Sequence, residues 1–260
     1  MRKGNIAFAR FIGTDRARPG GKGRAGAMLA LFLSALPAGV ACAAPPAPPP
    51  GYRVNADPVF PFSREVEAFA RADIAQPPLR DATLFLGSSS IRLWDVAHSF
   101  TDIPTINRGF GGATTADVLH HYARLKPRLA PRAVVVYVGE NDLAAGTSPD
   151  SVTRDLQRLL RQLRADYPRA PIAFLSLKPS PMRWTLWPKM ALVNQAMGAR
   201  ARVDGFAYLD VGQALLAADG LPDASLFRPD GLHMNALGYQ RWTTLVDAWL
   251  DRVAPPGKRS

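Results

Sequence analysis

Two uninterrupted apolar segments place the tightest limit on the fold of this chain. Residues 82–86 read Ala-Thr-Leu-Phe-Leu, and residues 133–138 read Ala-Val-Val-Val-Tyr-Val. A strand with one face in water alternates apolar and polar residues, whereas a strand that is covered on both faces is apolar throughout. These segments therefore predict strands of a parallel sheet with helices on both sides.

Shorter strands and amphipathic helices alternate along the rest of the chain. Three further strands are predicted at 104–107, 172–176 and 206–210. This alternation is typical of an α/β fold with a parallel central sheet, in which functional sites lie at the carboxyl ends of the strands. The predicted helices are one capped by Ser63 with an apolar face of Val66, Phe69, Ala70 and Ile74, one capped by Thr115, one beginning at Ser148-Pro149, one over 188–203, and a last one whose buried face is Tyr239, Trp242, Val246 and Trp249.

The first 43 residues have the pattern of a secretory signal peptide. Basic residues precede an apolar run over 27–40, which is shorter than the roughly 20 residues that a membrane-spanning helix needs. Ala41-Cys42-Ala43 then offers the small residues of a signal peptidase site. We therefore expect residues 1–43 to be removed and the protein to be periplasmic or secreted. The alternatives are a buried helix of the fold and a lipoprotein signal acylated at Cys42.

The remaining chain is predicted to form a Pro-rich linker over 44–60 and a single domain over 61–255. Cys42 is the only cysteine, so the processed protein would have neither a disulfide nor a thiolate nucleophile. The formal net charge is +11, but six of these charges lie in the first 43 residues. The folded part is thus only mildly basic, which argues against a nucleic-acid partner.

Two polar segments follow the first two predicted strands. Gly87-Ser-Ser-Ser90 would place a serine hydroxyl at a strand-to-helix turn, where it can act as a nucleophile or merely cap the helix. The glycines of Asn107–Gly112 allow backbone N–H groups to approach a ligand closely, although a simple turn explains them equally well.

Two other polar segments complete the set. Asn141 follows the Val-rich strand, where its amide can face an oxyanion or form a turn. Asp230 and His233 have a spacing that allows a hydrogen bond, by which the carboxylate would fix the histidine tautomer. Helix caps and metal sites give the same spacing. None of the other histidines, at 98, 120 and 121, is expected to have such a partner.

Together these segments resemble the SGNH (GDSL-type) esterase and lipase family. The matching stretches are LFLGSSSIRLW (84–94), NRGFGGATTADVL (107–119), VVVYVGENDL (134–143) and DGLHMNALGY (230–239). The resemblance spans about residues 80–250. It implies the three-layer α/β/α sandwich of that family, which is flavodoxin-like, and hydrolysis without a metal or an organic cofactor.

The resemblance also implies a role for each matching residue. Ser89 would be the nucleophile, His233 the general base and Asp230 its partner. The backbone N–H groups of Ser89 and Gly112 and the side-chain amide of Asn141 would form the oxyanion hole.

The implied substrate is a small-molecule, carbohydrate or lipid ester. A lysophospholipase, a thioesterase and an inactive ligand-binding module are the alternatives.

The family's usual Asp before the nucleophile is Ser88 here, a residue that does not attack the substrate. In the segment 178–187, Trp184 and Trp187 would stack on sugar rings or pack the loop, and Arg183 would meet an acidic substrate or be solvated.

Overall fold

The computed structural model describes residues 62–255, so the predicted signal peptide over 1–43 and the predicted linker over 44–60 lie outside the described residues. Five parallel strands form one sheet in the order β2-β1-β3-β4-β5, which confirms the predicted fold class. Their bounds are Thr83–Gly87 (β1), Thr105–Gly109 (β2), Ala133–Tyr137 (β3), Ile172–Leu175 (β4) and Ala207–Leu209 (β5).

The described residues also form eight α-helices. One layer contains α1, α4, α6 and α7, which contact one another in series. The connections from β2 to β3, from β3 to β4 and from β4 to β5 run in one direction across the sheet. Right-handed crossovers therefore place α4, α6 and α7 on one face of the sheet. The other face is covered by α2, α3 and α8. The bounds are Ser63–Ala75 (α1), Ser89–Arg92 (α2), Val96–Ser99 (α3), Thr115–Leu125 (α4), Glu140–Ala144 (α5), Pro149–Asp166 (α6), Trp187–Asp204 (α7) and Ala236–Val253 (α8).

Strands β1 and β3 are buried at every position, as their continuous apolar sequences predict. In the register of the sheet, Gly87 lies opposite Gly109 of β2 and Tyr137 of β3. The three strands therefore end at the same level. Whatever follows them in sequence is brought to one edge of the sheet.

Helix α8 closes the opposite face of the sheet. The Trp242 ring contacts Tyr137 and Trp94 at centroid distances of 4.9 and 5.6 Å, and the Tyr239 hydroxyl donates to the Ser90 carbonyl at 2.9 Å. These contacts join the C-terminal helix to the segment that follows β1.

Two predicted helix starts were wrong. Helix α1 has Phe62, not Ser63, at its N-cap, and Ala70 and Ile74 are exposed because the helix touches mainly α4 rather than the sheet. In α4 the cap is Thr114, whose hydroxyl accepts from the Asp117 N–H while the Asp117 carboxylate accepts from the Thr114 N–H.

The other helix predictions agree with the structure. Ser148 caps α6, and the four residues predicted for the inner face of the last helix are buried. No helix in the range 62–255 combines the length and the apolar character needed to cross a membrane.

Candidate active site

Strand β1 delivers Ser89 to the edge of the sheet through a turn that only glycine permits. Gly87 has φ 151°, and a side chain there would collide with the carbonyl oxygen of Tyr137. Ser88 continues in an extended conformation, and its N–H donates to the same Tyr137 oxygen at 3.1 Å. Ser89 then begins α2, so its N–H has no preceding turn to donate to.

The structure brings Ser89, His233 and Asp230 together. The Ser89 Oγ lies 3.0 Å from the His233 Nε2, and the His233 Nδ1 lies 2.7 Å from the Asp230 Oδ2. The other carboxylate oxygen of Asp230 accepts the backbone N–H groups of Leu232 and His233, both at 2.9 Å. Both oxygens of this carboxylate thus accept hydrogen bonds from the loop that carries the imidazole.

The environment of Asp230 keeps it ionised. Partial burial acts to raise its pKa, but the hydrogen bonds from His233 and Leu232 outweigh burial and hold the pKa below its ordinary value. An ionised carboxylate accepts hydrogen bonds only, so Nδ1 of His233 carries the proton. In the neutral imidazole, Nε2 is then the acceptor that faces the Ser89 hydroxyl.

The loops after β2 and β3 place Gly112 beside Asn141. Gly112 has φ 79°, and its N–H donates to no atom of the described residues. The Asn141 Nδ2 donates to the carbonyl of Ala113, the next residue, at 2.9 Å. The Thr115 N–H also donates to both carboxylate oxygens of Asp142 at 2.9 and 3.0 Å, which ties the two loops together.

A buried charge cluster beside the site was missing from the sequence-based prediction. Glu140 accepts from the Tyr137 hydroxyl at 2.5 Å and from the Lys178 Nζ at 3.1 Å. Lys178 also donates to the carbonyl of Leu232, next to His233, at 3.0 Å. The side chains of Glu140 and Lys178 are only 4% and 1% exposed. A signal was present in the sequence, because opposite charges lie at the third position after two buried strands.

The two cations set the ionisation of Glu140. Its burial acts to raise the pKa, yet Lys178 and Arg183 overcome this and lower it below the ordinary value. The pKa of Tyr137 is raised by burial and by the neighbouring carboxylate, so its hydroxyl remains a neutral donor.

Arg183 belongs to this cluster rather than to solvent. Its Nη1 donates to the Glu140 Oε1 at 3.1 Å and to the Asn141 Oδ1 at 3.0 Å. The rings of Trp184 and Trp187 stack with centroids 5.9 Å apart, and Trp187 packs against the hydrophobic core, which supports the packing interpretation for that residue.

One expectation about the other histidines was wrong. The Nδ1 of His98 lies 2.8 Å from the Asp95 Oδ2, the same Asp-x-x-His spacing as in the site. Asp95 is the N-cap of α3, and both side chains are largely exposed. A helix cap therefore produces the spacing without the strand-end position.

Comparison with known proteins identifies a family and a shared fold. The model of the GDSL-like Lipase/Acylhydrolase family matches residues 91–241, a range that begins two residues after Ser89 and contains the other four residues of the site. Among curated proteins, none matches the sequence of this chain.

Solved structures share the fold at low sequence identity. A Streptococcus pneumoniae protein provisionally named a platelet activating factor is 20% identical with a TM-score of 0.66, and the match covers 72% of this chain and 91% of that one. A GDSL-like lipase from Bacteroides thetaiotaomicron is 18% identical with a TM-score of 0.59, over 72% of this chain and 97% of that one.

Proposed function

Because the chain belongs to the GDSL-like lipase/acylhydrolase family, we propose that it is a serine hydrolase that cleaves carboxylic esters with Ser89, His233 and Asp230. The observation that carries this proposal is the continuous hydrogen-bonded chain from the Ser89 hydroxyl through the imidazole to the Asp230 carboxylate. An inactive binding module has no need of that alignment.

The geometry supports a two-step reaction. His233 removes the Ser89 proton as Oγ attacks the ester carbonyl, and the resulting imidazolium is stabilised by Asp230. The imidazolium then protonates the leaving alcohol, which leaves an acyl group on Ser89. A water molecule then attacks the acyl-enzyme while His233 takes its proton, and return of that proton to the Ser89 oxygen releases the acid and restores the serine.

The negative charge that forms on the carbonyl oxygen needs donors at the same edge of the sheet. In this proposal the N–H groups of Ser89 and Gly112 and the second hydrogen of the Asn141 amide provide them. They follow β1, β2 and β3, three neighbouring strands that end at the same level. The substrate is a small-molecule, carbohydrate or lipid ester, and turnover of p-nitrophenyl acetate beside acetylated glycans and lysophospholipids tests this class.

The proposed base predicts a dependence of activity on pH. The imidazole must be unprotonated to accept the serine proton, and histidine side chains change charge between about pH 5 and 8. Since the lowered pKa keeps Asp230 ionised throughout this range, kcat/KM should fall about tenfold per pH unit on the acidic side. Measurement with p-nitrophenyl acetate checks this, and a flat profile from about pH 5 to 9 with chemistry rate-limiting would contradict the assignment of the base.

Replacement of Asn141 by alanine separates an oxyanion donor from a turn residue. If Asn141 is an oxyanion donor, its loss should lower kcat about 10²–10³-fold and leave KM nearly unchanged, because the negative charge exists only in the transition state. If Asn141 only shapes a turn, its loss should lower the free energy of unfolding by about 1 kcal/mol and leave kcat of the folded fraction unchanged. Steady-state kinetics on protein with a measured active fraction distinguishes the two, and Asn235→Ala, which removes the cap of α8, is a matched control for stability.

A further inference from the structure

The amide of Asn141 has one orientation that its neighbours accept. Arg183 has only donors, so the atom that faces its guanidinium must be the acceptor Oδ1. On the other side the carbonyl of Ala113 accepts from Nδ2. A reversed amide would set its NH2 group against a cation and its oxygen against a carbonyl oxygen. In the observed orientation one hydrogen of Nδ2 remains for a ligand.

Arg183 is itself held in place by buried charge. Its side chain is 18% exposed and bonds to Glu140, whose side chain is 4% exposed. Lys178 bonds to the same carboxylate and to the Leu232 carbonyl beside His233. The Met182 N–H donates to the Gly231 carbonyl at 2.9 Å, so the segment before Arg183 is also joined to the loop of the triad. The guanidinium thus has a defined position with respect to both halves of the site.

The cation next to the Asn141 amide favours negative charge nearby. The Arg183 Nη1 lies 3.0 Å from the Asn141 Oδ1, and a guanidinium is always charged in proteins, whereas burial lowers the pKa of Lys178. A cation bonded to Oδ1 draws electron density from the amide, which makes the remaining N–H a stronger donor. Both effects increase as the oxyanion forms, so they act on the transition state more than on the bound ester.

We propose that Arg183 is a positioning residue for ester hydrolysis, which orients the Asn141 amide and strengthens it as a donor to the oxyanion. Arg183 itself does not touch the reacting atoms. This inference rests on the proposed function, in which Asn141 is an oxyanion donor. It assigns a role to a charged loop residue that would otherwise be taken for a contact to an acidic substrate.

The test is a double-mutant cycle between Arg183 and Asn141. Arg183→Met should lower kcat about 10–50-fold, less than the loss of a whole donor, with KM changed less than about twofold. In the Asn141→Ala background the same replacement should change kcat less than about twofold, because the group through which Arg183 acts is gone. Arg183→Lys, which retains a cationic donor, should recover most of the loss. Arg200→Met, which removes an arginine from the exposed pair with Asp204 on α7, is the matched control.

Each outcome decides the matter. An equal loss in both backgrounds, an unchanged kcat in Arg183→Met, or a rise in KM alone would overturn the proposal. If Arg183→Met does not fold, Arg183→Gln retains a neutral donor to Oδ1 and enters the same cycle, with a smaller loss expected only when Asn141 is present. A wild-type protein that hydrolyses no ester would instead refute the proposed function, which is a separate result from the cycle.

Discussion

Replacement of Ser89 by alanine should lower kcat for ester hydrolysis by about 10⁴–10⁶-fold. The Ser89 hydroxyl, which lies 3.0 Å from the His233 Nε2, is the only group of the protein that forms a covalent bond to the substrate in the proposed mechanism. Without it no acyl-enzyme forms, and the remaining rate comes from the oxyanion donors and from substrate binding. Burst kinetics with p-nitrophenyl acetate would show this directly, since the initial burst of nitrophenolate should disappear.

The adjacent serines provide the control for this variant. Ser90→Ala makes the same chemical change one residue further along α2, where the residue is buried and its carbonyl accepts from Tyr239. It should retain the burst. If Ser89→Ala kept most of its activity while folded, the nucleophile would lie elsewhere, and the mechanism proposed for this site would be wrong.

Replacement of Asp230 by asparagine should lower kcat by about 10⁴-fold while the fold is retained. The asparagine oxygen can still accept the N–H groups of Leu232 and His233, which preserves the turn. Its NH2 group, however, cannot accept the proton of Nδ1. The imidazole then shifts that proton to Nε2, the nitrogen that must take the proton from Ser89.

The exposed pair of Asp95 and His98 is a control that this chain supplies itself. Asp95→Asn repeats the same substitution at the same spacing from a histidine, at the exposed N-cap of the short helix α3. It should leave kcat unchanged. Comparison of the two variants in steady-state assays, with circular dichroism to verify folding, shows whether the loss depends on the position of the pair. Equal losses would mean that a general change of stability had been measured.

The strands and the site could be predicted from the sequence for a common reason. Burial on both faces leaves the continuous apolar pattern of β1 and β3, and a parallel sheet brings the residues after its strands to one edge. Local patterns therefore indicated the segments that contain Ser89 and Asn141, and the resemblance to the family then singled out these two residues within them. The distant Asp230–His233 segment joined them through its resemblance to a family, since no local pattern tells which strand end it faces.

The features that escaped prediction depend on which surfaces meet in the folded protein. Ile74 follows the helical spacing of an inner face, but α1 packs on α4 and leaves that position exposed. Glu140 and Lys178 form a pair across 38 residues, and a charge that is neutralised by such a distant partner looks in the sequence like any solvated charge. His98 acquires its carboxylate partner from the N-cap of a short helix, a contact that the apolar pattern does not record.

The packing of α8 on the sheet has a consequence for the order in which the protein folds. The first four of the five strands lie within residues 83–175, whereas the histidine of the site lies in the turn just before α8. Helix α8 contacts the nucleophile segment through Tyr239 and Trp242. Contacts between residues so far apart in the chain form late, because they close the largest loops. During refolding, recovered secondary structure should therefore precede recovered hydrolysis, and the appearance of activity marks the step at which the C-terminal helix seats on the sheet.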